Sequence, residues 1–166
     1  MSTKAQIRLL LTTACVFVAA AAAGGASASP PSSASGTFTY LSATFNGVHV
    51  HGGNTIIDDL SATVSYTGTF SGTSTVEGML ILHADGTANF HDLETFTGTV
   101  NGVPGSVTFR LEGRTNRAGV VNATDAIVGA TGALAGLHGV LSLVGTVPNP
   151  NGPVGSYNGE IQTGSP

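Results

Sequence analysis

Apolar and polar residues alternate along much of the chain, a period of two that is typical of β-strands with one buried face. From Ala62 to Phe70 every second residue is apolar, aromatic or glycine, and the residues between them are Ser or Thr. Helical periodicity is absent after Ser35, and turn-forming residues recur throughout this region. The pattern therefore predicts an all-β domain of short strands, arranged as a sandwich or a barrel.

The register of the central strands follows from their turns. Three dipeptides are candidates for tight turns: Ser71–Gly72, Asp85–Gly86 and Asn101–Gly102. Asp-Gly and Asn-Gly suit two-residue hairpin loops because both central positions of a type I′ turn need positive φ. If all three loops contain two residues, four consecutive strands form a meander in which Tyr66, Glu77, Glu94 and Phe109 lie directly opposite one another, one on each strand. These four residues form a single row across the sheet.

The same register assigns a buried and an exposed face to the meander. The face that carries this row also holds most of the large apolar residues: Val64, Met79, Ile81, Phe90, Phe96, Val107 and Leu111. The reverse face is mainly polar, so the first face is predicted to be the interior. Leu80 and Leu82 fall on the outer face, beside Val76. Such exposed apolar residues indicate a contact with another subunit, so the protein is predicted to be a homo-oligomer.

Later segments bring the total to about eight strands. They run over residues 120–128, 140–147 and 154–161. Eight meandering strands favour closure into a single antiparallel up-and-down β-barrel, because closure removes exposed edge strands.

The N-terminal segment is typical of a signal peptide. Lys4 and Arg8 precede an uncharged apolar stretch that is too short to cross a bilayer, and Ala26–Ala28 fits the small-x-small cleavage pattern. The predicted division is a signal peptide over 1–28, a Ser/Pro-rich linker over 29–35 and a barrel domain over 36–166. Secretion, to the cell envelope or the medium, is the expected destination, with no membrane association after cleavage.

Removal of the signal peptide changes the chemistry of the chain. The single cysteine, Cys15, is lost, and the formal charge moves from −4 to −6 because Lys4 and Arg8 leave nine acidic residues against three arginines. An acidic, sparsely charged domain is a poor partner for nucleic acid or anionic lipid. With no disulfide available, packing must stabilise the domain.

A pair of glutamates, Glu77 and Glu94, is the predicted arrangement best suited to catalysis. Opposed carboxylates repel one another and burial disfavours their ionised forms, so Glu77 and Glu94 are expected to share one proton. A shared proton suits general acid–base chemistry, and Tyr66 would donate a hydrogen bond to the pair. The alternative is that both glutamates are structural, or that one turn is longer than two residues. Asp92 is expected on the same face, opposite Met79, and would need water, an arginine or a cation.

Other candidate sites carry less support. His49 and His51 share one side of an extended segment, but a third protein ligand is missing, so no metal is predicted. The glycine-rich segment Gly129–Gly139 lacks the spacing of a nucleotide-binding loop, and no cofactor is expected.

Several short segments resemble the barrel superfamily of allene oxide cyclases and dirigent proteins. The resemblance rests on the glycine-rich segment 129–139 and on stretches at 70–77, 85–90, 93–94, 97–102, 105–107 and 112–113. It is closest to a bacterial secreted family of unknown function with that barrel. The resemblance implies the fold and leaves the activity open.

Three functions therefore remain. The first is a cofactor-free binding or scaffold barrel for a small apolar molecule, with Met79, Phe96 and Phe109 lining the interior. The second is a cyclase or isomerase that acts on an unsaturated substrate through Glu77, Glu94 and Tyr66. The third, a structural protein of the cell envelope, rests on export and low charge alone.

Overall fold

The chain forms a closed barrel of eight antiparallel strands, described for residues 30–149 and 152–164 in a computed structural model. The strands are β1 (Ser32–His51), β2 (Asn54–Gly68), β3 (Phe70–Leu82), β4 (Ala88–Val100), β5 (Val103–Thr115), β6 (Val120–Gly132), β7 (Leu137–Asn149) and β8 (Gly152–Thr163). Each strand pairs with its neighbours in sequence, and β8 pairs with β1. The predicted all-β up-and-down barrel is confirmed.

The barrel begins earlier than the sequence pattern indicated. Ser32–Ser35, assigned to a linker, belong to β1 and pair with β8 from Ile161 to Asn158. The predicted signal peptide over 1–28 lies outside the described residues. Within the described part of the chain, no helix has the length and apolar character needed to cross a membrane.

The two ends of the barrel differ in their contents. The mouth end carries the turns that join β1 to β2, β3 to β4 and β5 to β6, and the closed end carries the turns that join β2 to β3, β4 to β5 and β6 to β7. Inward-facing rings fill the closed half: Phe38, Tyr66, Phe70, Phe96, Phe109 and Tyr157. Phe70 lies at the centre of this group, with ring centroids 5.5 Å from those of Phe96 and Phe109. Such tilted and edge-to-face contacts are favourable beyond the area that they bury.

The hydroxyl of Tyr157 makes two hydrogen bonds in the closed half of the barrel. The oxygen accepts a hydrogen bond from the Phe70 amide at 2.9 Å, and the hydroxyl donates to the Thr67 carbonyl at 3.0 Å. These bonds attach β8 to the turn between β2 and β3. They also satisfy backbone groups that would otherwise be costly to bury.

The predicted turn at Asn101–Gly102 is correct. Asn101 has φ of 51° and Gly102 has φ of 82°, as a type I′ turn requires. Val100 therefore pairs with Val103, and Glu94 lies opposite Phe109, as predicted.

The predicted turn at Ser71–Gly72 is wrong, and the turn at Asp85–Gly86 is present but is longer than the predicted two residues. The chain reverses at Thr69, and Ser71 and Gly72 lie inside β3, with Gly72 opposite Tyr66. Gly72 is needed there because a Cβ would overlap the Thr97 carbonyl oxygen of β4.

The loop between β3 and β4 is one residue longer than the sequence suggested. Three residues, Ala84–Gly86, separate His83 from Thr87, and the His83 amide donates to the Thr87 carbonyl at 2.8 Å. Gly86 has φ of 83°, the left-handed residue that three-residue hairpin loops contain. Asp85 accepts a hydrogen bond from the Thr87 amide at 3.0 Å, which stabilises the longer loop.

That extra residue reverses the faces of β3. Glu94 lies opposite Val76, and Glu77 lies opposite Leu93 on the outer surface. A shift of one residue moves every side chain of a strand to the other face. Val76, Leu80 and Leu82 therefore face the interior, and Glu77, Met79 and Ile81 face outward. The prediction of a homo-oligomer loses its basis, because Leu80 and Leu82 are not on the outer face.

Candidate functional site

The mouth half of the barrel contains a cavity of about 420 Å³. Its walls come from strands all around the barrel: Tyr40, Ala43, Phe45, Ile57, Leu60, Leu80, Leu82, Phe90, Asp92, Thr115, Val121, Val147, Gly152 and Pro153. Phe45, Leu82 and Val147 are each about two-fifths exposed, so the cavity opens to solvent at the mouth. The volume is in the range of small-molecule sites, about 300–1,000 Å³.

Residue size explains why this half of the barrel is open. Six rings pack together in the closed half, whereas most of the mouth wall consists of smaller aliphatic side chains such as Ala43, Leu60, Leu80 and Val121. A bulge in β2 adds to the apolar wall, because two residues there, Asp58–Asp59, oppose one residue of β3. The bulge lets Ile57 and Leu60 both face inward.

Three carboxyl groups lie between the aromatic half and the cavity. Asp92 and Glu94 are two residues apart on β4 and therefore share its inner face. Asp125 is on β6 and belongs to the same row as Asp92, with Leu111 of β5 between them. All three are buried, with exposed fractions of 6% for Asp92, 1% for Glu94 and 0% for Asp125.

Glu94 is held by two hydroxyl groups. Ser74 Oγ donates a short hydrogen bond to Glu94 Oε1, and the Tyr66 hydroxyl donates a second bond to the carboxylate. Burial raises the pKa of Glu94 to about 6, and these two bonds oppose the rise because they stabilise the ionised form. Glu94 is thus anchored within the protein.

Asp92 forms part of the cavity wall. Burial, and then repulsion by Glu94, raises the pKa of Asp92 to about 7, against a smaller opposing effect of a hydrogen bond from the Met79 backbone. No protein donor among the described residues reaches its Oδ1 atom. Gly78 makes room for the carboxyl, because a Cβ at that position would overlap Asp92 Oδ1.

Asp125 has no hydrogen-bond partner for either carboxyl oxygen within the described chain. Burial is the main cause of its raised pKa, and the charges of Glu94 and Asp92 raise it further. The group is therefore favoured in its protonated form, because a lone buried carboxylate is costly.

Basic side chains do not offset these acids. In the part of the chain that the structure describes, Arg110, Arg114 and Arg117 are exposed, and the histidines lie on the outer surface or in the turns. No group of three His, Cys, Asp or Glu side chains in the same residues is arranged to hold a metal ion. His49 lies on the outside, with Nδ1 at 3.4 Å from Asp58 Oδ2.

The predicted catalytic group is only partly assembled. Tyr66 and Glu94 are in contact inside the barrel, as described above. Glu77 is exposed on the opposite face of the sheet from Glu94, so the predicted glutamate pair is wrong. The cause is the three-residue loop between β3 and β4.

The predicted ligand-binding residues do not line the cavity. Met79 faces outward, into a shallow groove that it shares with Glu77, His91 and Leu93. Phe96 and Phe109 face inward as predicted, but they belong to the filled aromatic half.

Sequence reasoning missed Asp125, Tyr40 and Ser74. A signal for Asp125 was available, because Val121, Ala123 and Asp125 alternate with polar residues along β6 and all face inward. Ser74 could not be found, since the predicted turn at Ser71–Gly72 placed it on the wrong face.

Known proteins match the chain at the level of family and fold. Residues 34–148 match the family described as "Protein of unknown function (DUF3224)". No curated protein matches the chain at significant similarity.

Two solved structures are similar to this barrel. A protein of unknown function from the DUF3224 family of Shewanella oneidensis MR-1 has a TM-score of 0.64 and 18% identity, covering 82% of this chain and 100% of that chain. A pterocarpan synthase dirigent protein has a TM-score of 0.46 and 15% identity, covering 82% and 89%. The first likeness supports the fold, and the predicted resemblance to a family of unknown function with this barrel is confirmed.

Proposed function

This chain belongs to the DUF3224 family, whose function is unknown, and we propose that it binds a small apolar molecule in the mouth half of its barrel. The observation that carries this proposal is the open apolar cavity of about 420 Å³. Most small-molecule sites are concave and apolar, with few polar groups to orient the ligand. In this cavity Asp92 is the one carboxyl among the described wall residues, and it lies on the side toward the closed half.

Unfilled apolar space in a barrel is costly to the protein alone. Side chains around a void lose contacts that a filled core would make. In the closed half of this barrel packed rings leave little space, yet in the mouth half aliphatic groups and three rings, Tyr40, Phe45 and Phe90, surround an open cavity. A ligand that covers these groups would recover the lost contacts.

Binding can be tested with the uncharged fluorescent probe N-phenyl-1-naphthylamine. We expect saturable binding to the wild-type protein. Leu80→Trp should weaken binding by about tenfold or more, because the larger ring occupies the ligand's space. Ala43→Phe, on another wall of the cavity, should have the same effect and serves as a second variant if Leu80→Trp folds poorly.

Leu93→Trp is the matched control. Leu93 is 51% exposed on the outer face of the barrel, so the added ring should leave probe binding unchanged. If the Leu93 and Leu80 variants lost probe affinity equally, or if the probe did not bind to the wild-type protein, the result would count against the proposal. Circular dichroism of each variant would establish that the barrel is intact.

A further inference from the structure

The cavity combines an apolar wall with an acidic floor. Its hydrocarbon surface favours an apolar body, but Asp92 introduces a carboxyl that is 6% exposed and has one oxygen without a protein partner. A buried polar atom without a partner costs free energy, and native proteins rarely leave one unexplained. The site therefore lacks a group that would bond to Asp92.

When Asp92 is ionised, the missing group must act as a donor. Ionised carboxylates only accept hydrogen bonds, so a second acceptor, such as a ligand carboxylate, would add repulsion. Asp125 lies two strands away from Asp92 in the same row, with Leu111 between them, and neither of its oxygens has a partner among the described residues. Glu94 lies beside Asp92 on the inner face of β4. Asp92 and Glu94 give the floor a preference for positive charge when they are ionised. Protonated Asp125 adds no charge to it.

A charge that compensates this acidic layer would have to come from the titratable side chains that face it. The titratable groups that face it are Tyr40 of β1, Tyr66 of β2, Asp92 and Glu94 of β4, and Asp125 of β6. None of these groups is a base that is cationic at neutral pH. The described part of the protein thus supplies no cation to the floor, and a ligand can.

We propose that the ligand of this cavity is an apolar amine whose protonated nitrogen bonds to Asp92 and whose hydrocarbon part fills the mouth. The proposal deepens the binding function above and rests on it. Charge-assisted hydrogen bonds are about twice as strong as neutral ones, so this pairing compensates the buried carboxyl at the cavity wall most effectively. Tyr40, Phe45 and Phe90 add aromatic surface to the wall, and aromatic rings also attract ammonium groups.

Three eight-carbon compounds distinguish the contribution of ligand charge to binding from that of the hydrocarbon chain. In competition with the naphthylamine probe at pH 8, n-octylamine, n-octanol and octanoate present the same chain with a cationic, a neutral and an anionic head. We expect n-octylamine to bind about tenfold more tightly than n-octanol, and octanoate to bind most weakly. Equal binding of all three would overturn the amine inference and leave the binding function intact. Failure of the probe itself to bind would overturn both.

Asp92→Asn tests the residue directly. This variant keeps the size of the side chain and removes its charge, so n-octylamine should lose its advantage over n-octanol while probe binding stays within about twofold. Glu77→Gln is the control, because it removes one negative charge from the outer face and should preserve the preference. Loss of the preference in both variants would indicate a general effect of net charge and would overturn the assignment to Asp92.

Proton release on binding provides a test that does not depend on comparing the affinities of ligands with different head groups. Asp92 has a pKa of about 7 in the free protein, and an adjacent ammonium favours its ionised form. Calorimetry at pH 7 in buffers of different ionisation enthalpy should show protons released with n-octylamine and not with n-octanol. Release should disappear in Asp92→Asn, and wild-type binding of n-octylamine without proton release would contradict the proposal.

Discussion

At the scale of single residues, the buried carboxyls make the barrel sensitive to pH. Folding raises the pKa of Asp92 from its ordinary value of 3.8 to about 7 and that of Glu94 from 4.5 to about 6, mainly through burial. The folded chain therefore holds these protons to a higher pH than the unfolded chain. Where the folded state binds more protons, stability falls as pH rises.

Asp125→Asn should increase stability at alkaline pH. The carboxyl is fully buried and has no hydrogen-bond partner in the described part of the chain. Its pKa is raised by burial and by Glu94 and Asp92, so its ionisation opposes folding. At pH 8 we expect the free energy of unfolding to rise by about 1–3 kcal/mol relative to the wild type. At pH 3.5, where aspartate is mostly protonated in both states, the gain should vanish.

Urea denaturation of both proteins across this pH range would measure the difference. Wild-type stability should decline between about pH 4 and pH 7, the window set by the ordinary carboxyl pKa and the raised pKa of Asp92. Glu77→Gln, on the exposed face, should change the free energy of unfolding by less than about 0.5 kcal/mol. A wild-type protein that becomes more stable from pH 4 to pH 7 would show that the buried acids are not its main titrating groups.

At the scale of strands and turns, loop length decides which residues reach the cavity. The β4–β5 turn has two residues and the β3–β4 loop has three, and this single difference exchanges the inner and outer faces of β3. Leu80 faces the ligand space and Glu77 faces solvent for this reason. The composition of β3 itself allows either choice, because both of its faces carry apolar residues.

Gly102→Ala should destabilise the β4–β5 hairpin through the backbone alone. Gly102 has φ of 82°, and an added Cβ would meet no atom within 4 Å, so steric overlap with the rest of the protein is excluded. The expected loss is about 1–2 kcal/mol in the free energy of unfolding, the cost of a left-handed conformation for a residue with a Cβ.

Asn101→Gly provides the comparison in the same turn. Asn101 has φ of 51°, which glycine adopts readily, so the change should stay within about 1 kcal/mol. Urea midpoints at unchanged m-values would measure both variants. A Gly102→Ala protein as stable as the wild type would mean that the turn relaxes to another geometry.

At the scale of the whole molecule, the barrel consists of two differently packed halves that are built from the same strands. The closed half is a dense cluster of rings, and the mouth half encloses the cavity. Local opening is easiest where buried contacts are fewest, so the two halves should open with different free energies. This division also lets a ligand stabilise the mouth without disturbing the closed half.

Hydrogen exchange should reveal the division. Strand amides beside the aromatic cluster, as at Val64 and Val107, should exchange about tenfold or more slowly than hydrogen-bonded strand amides beside the cavity, as near Leu60 and Val121. Exchange followed by mass spectrometry or NMR would measure this. Uniform protection along every strand would contradict it and would indicate that the barrel opens only as one unit.

The sequence by itself determined the class of fold, because alternation and turn residues act locally. The eight strands, the inward Tyr66 and the pairing of Glu94 with Phe109 all follow from short stretches such as 61–70 and 94–109. Two of the three acids predicted for the interior, Glu94 and Asp92, are also buried there. These features depend on a period of two and on an Asn-Gly turn, which need no information from distant strands.

Only the tertiary structure decided the composition of the site. Asp92 and Asp125 lie 33 positions apart in the sequence and come into one row only through the pairing of β4, β5 and β6. One extra loop residue removed Glu77 from the interior, and the sizes of side chains from every strand left the mouth open. Loop length and the sum of packed volumes are properties of the assembled barrel, so the alternation of a single strand does not reveal them.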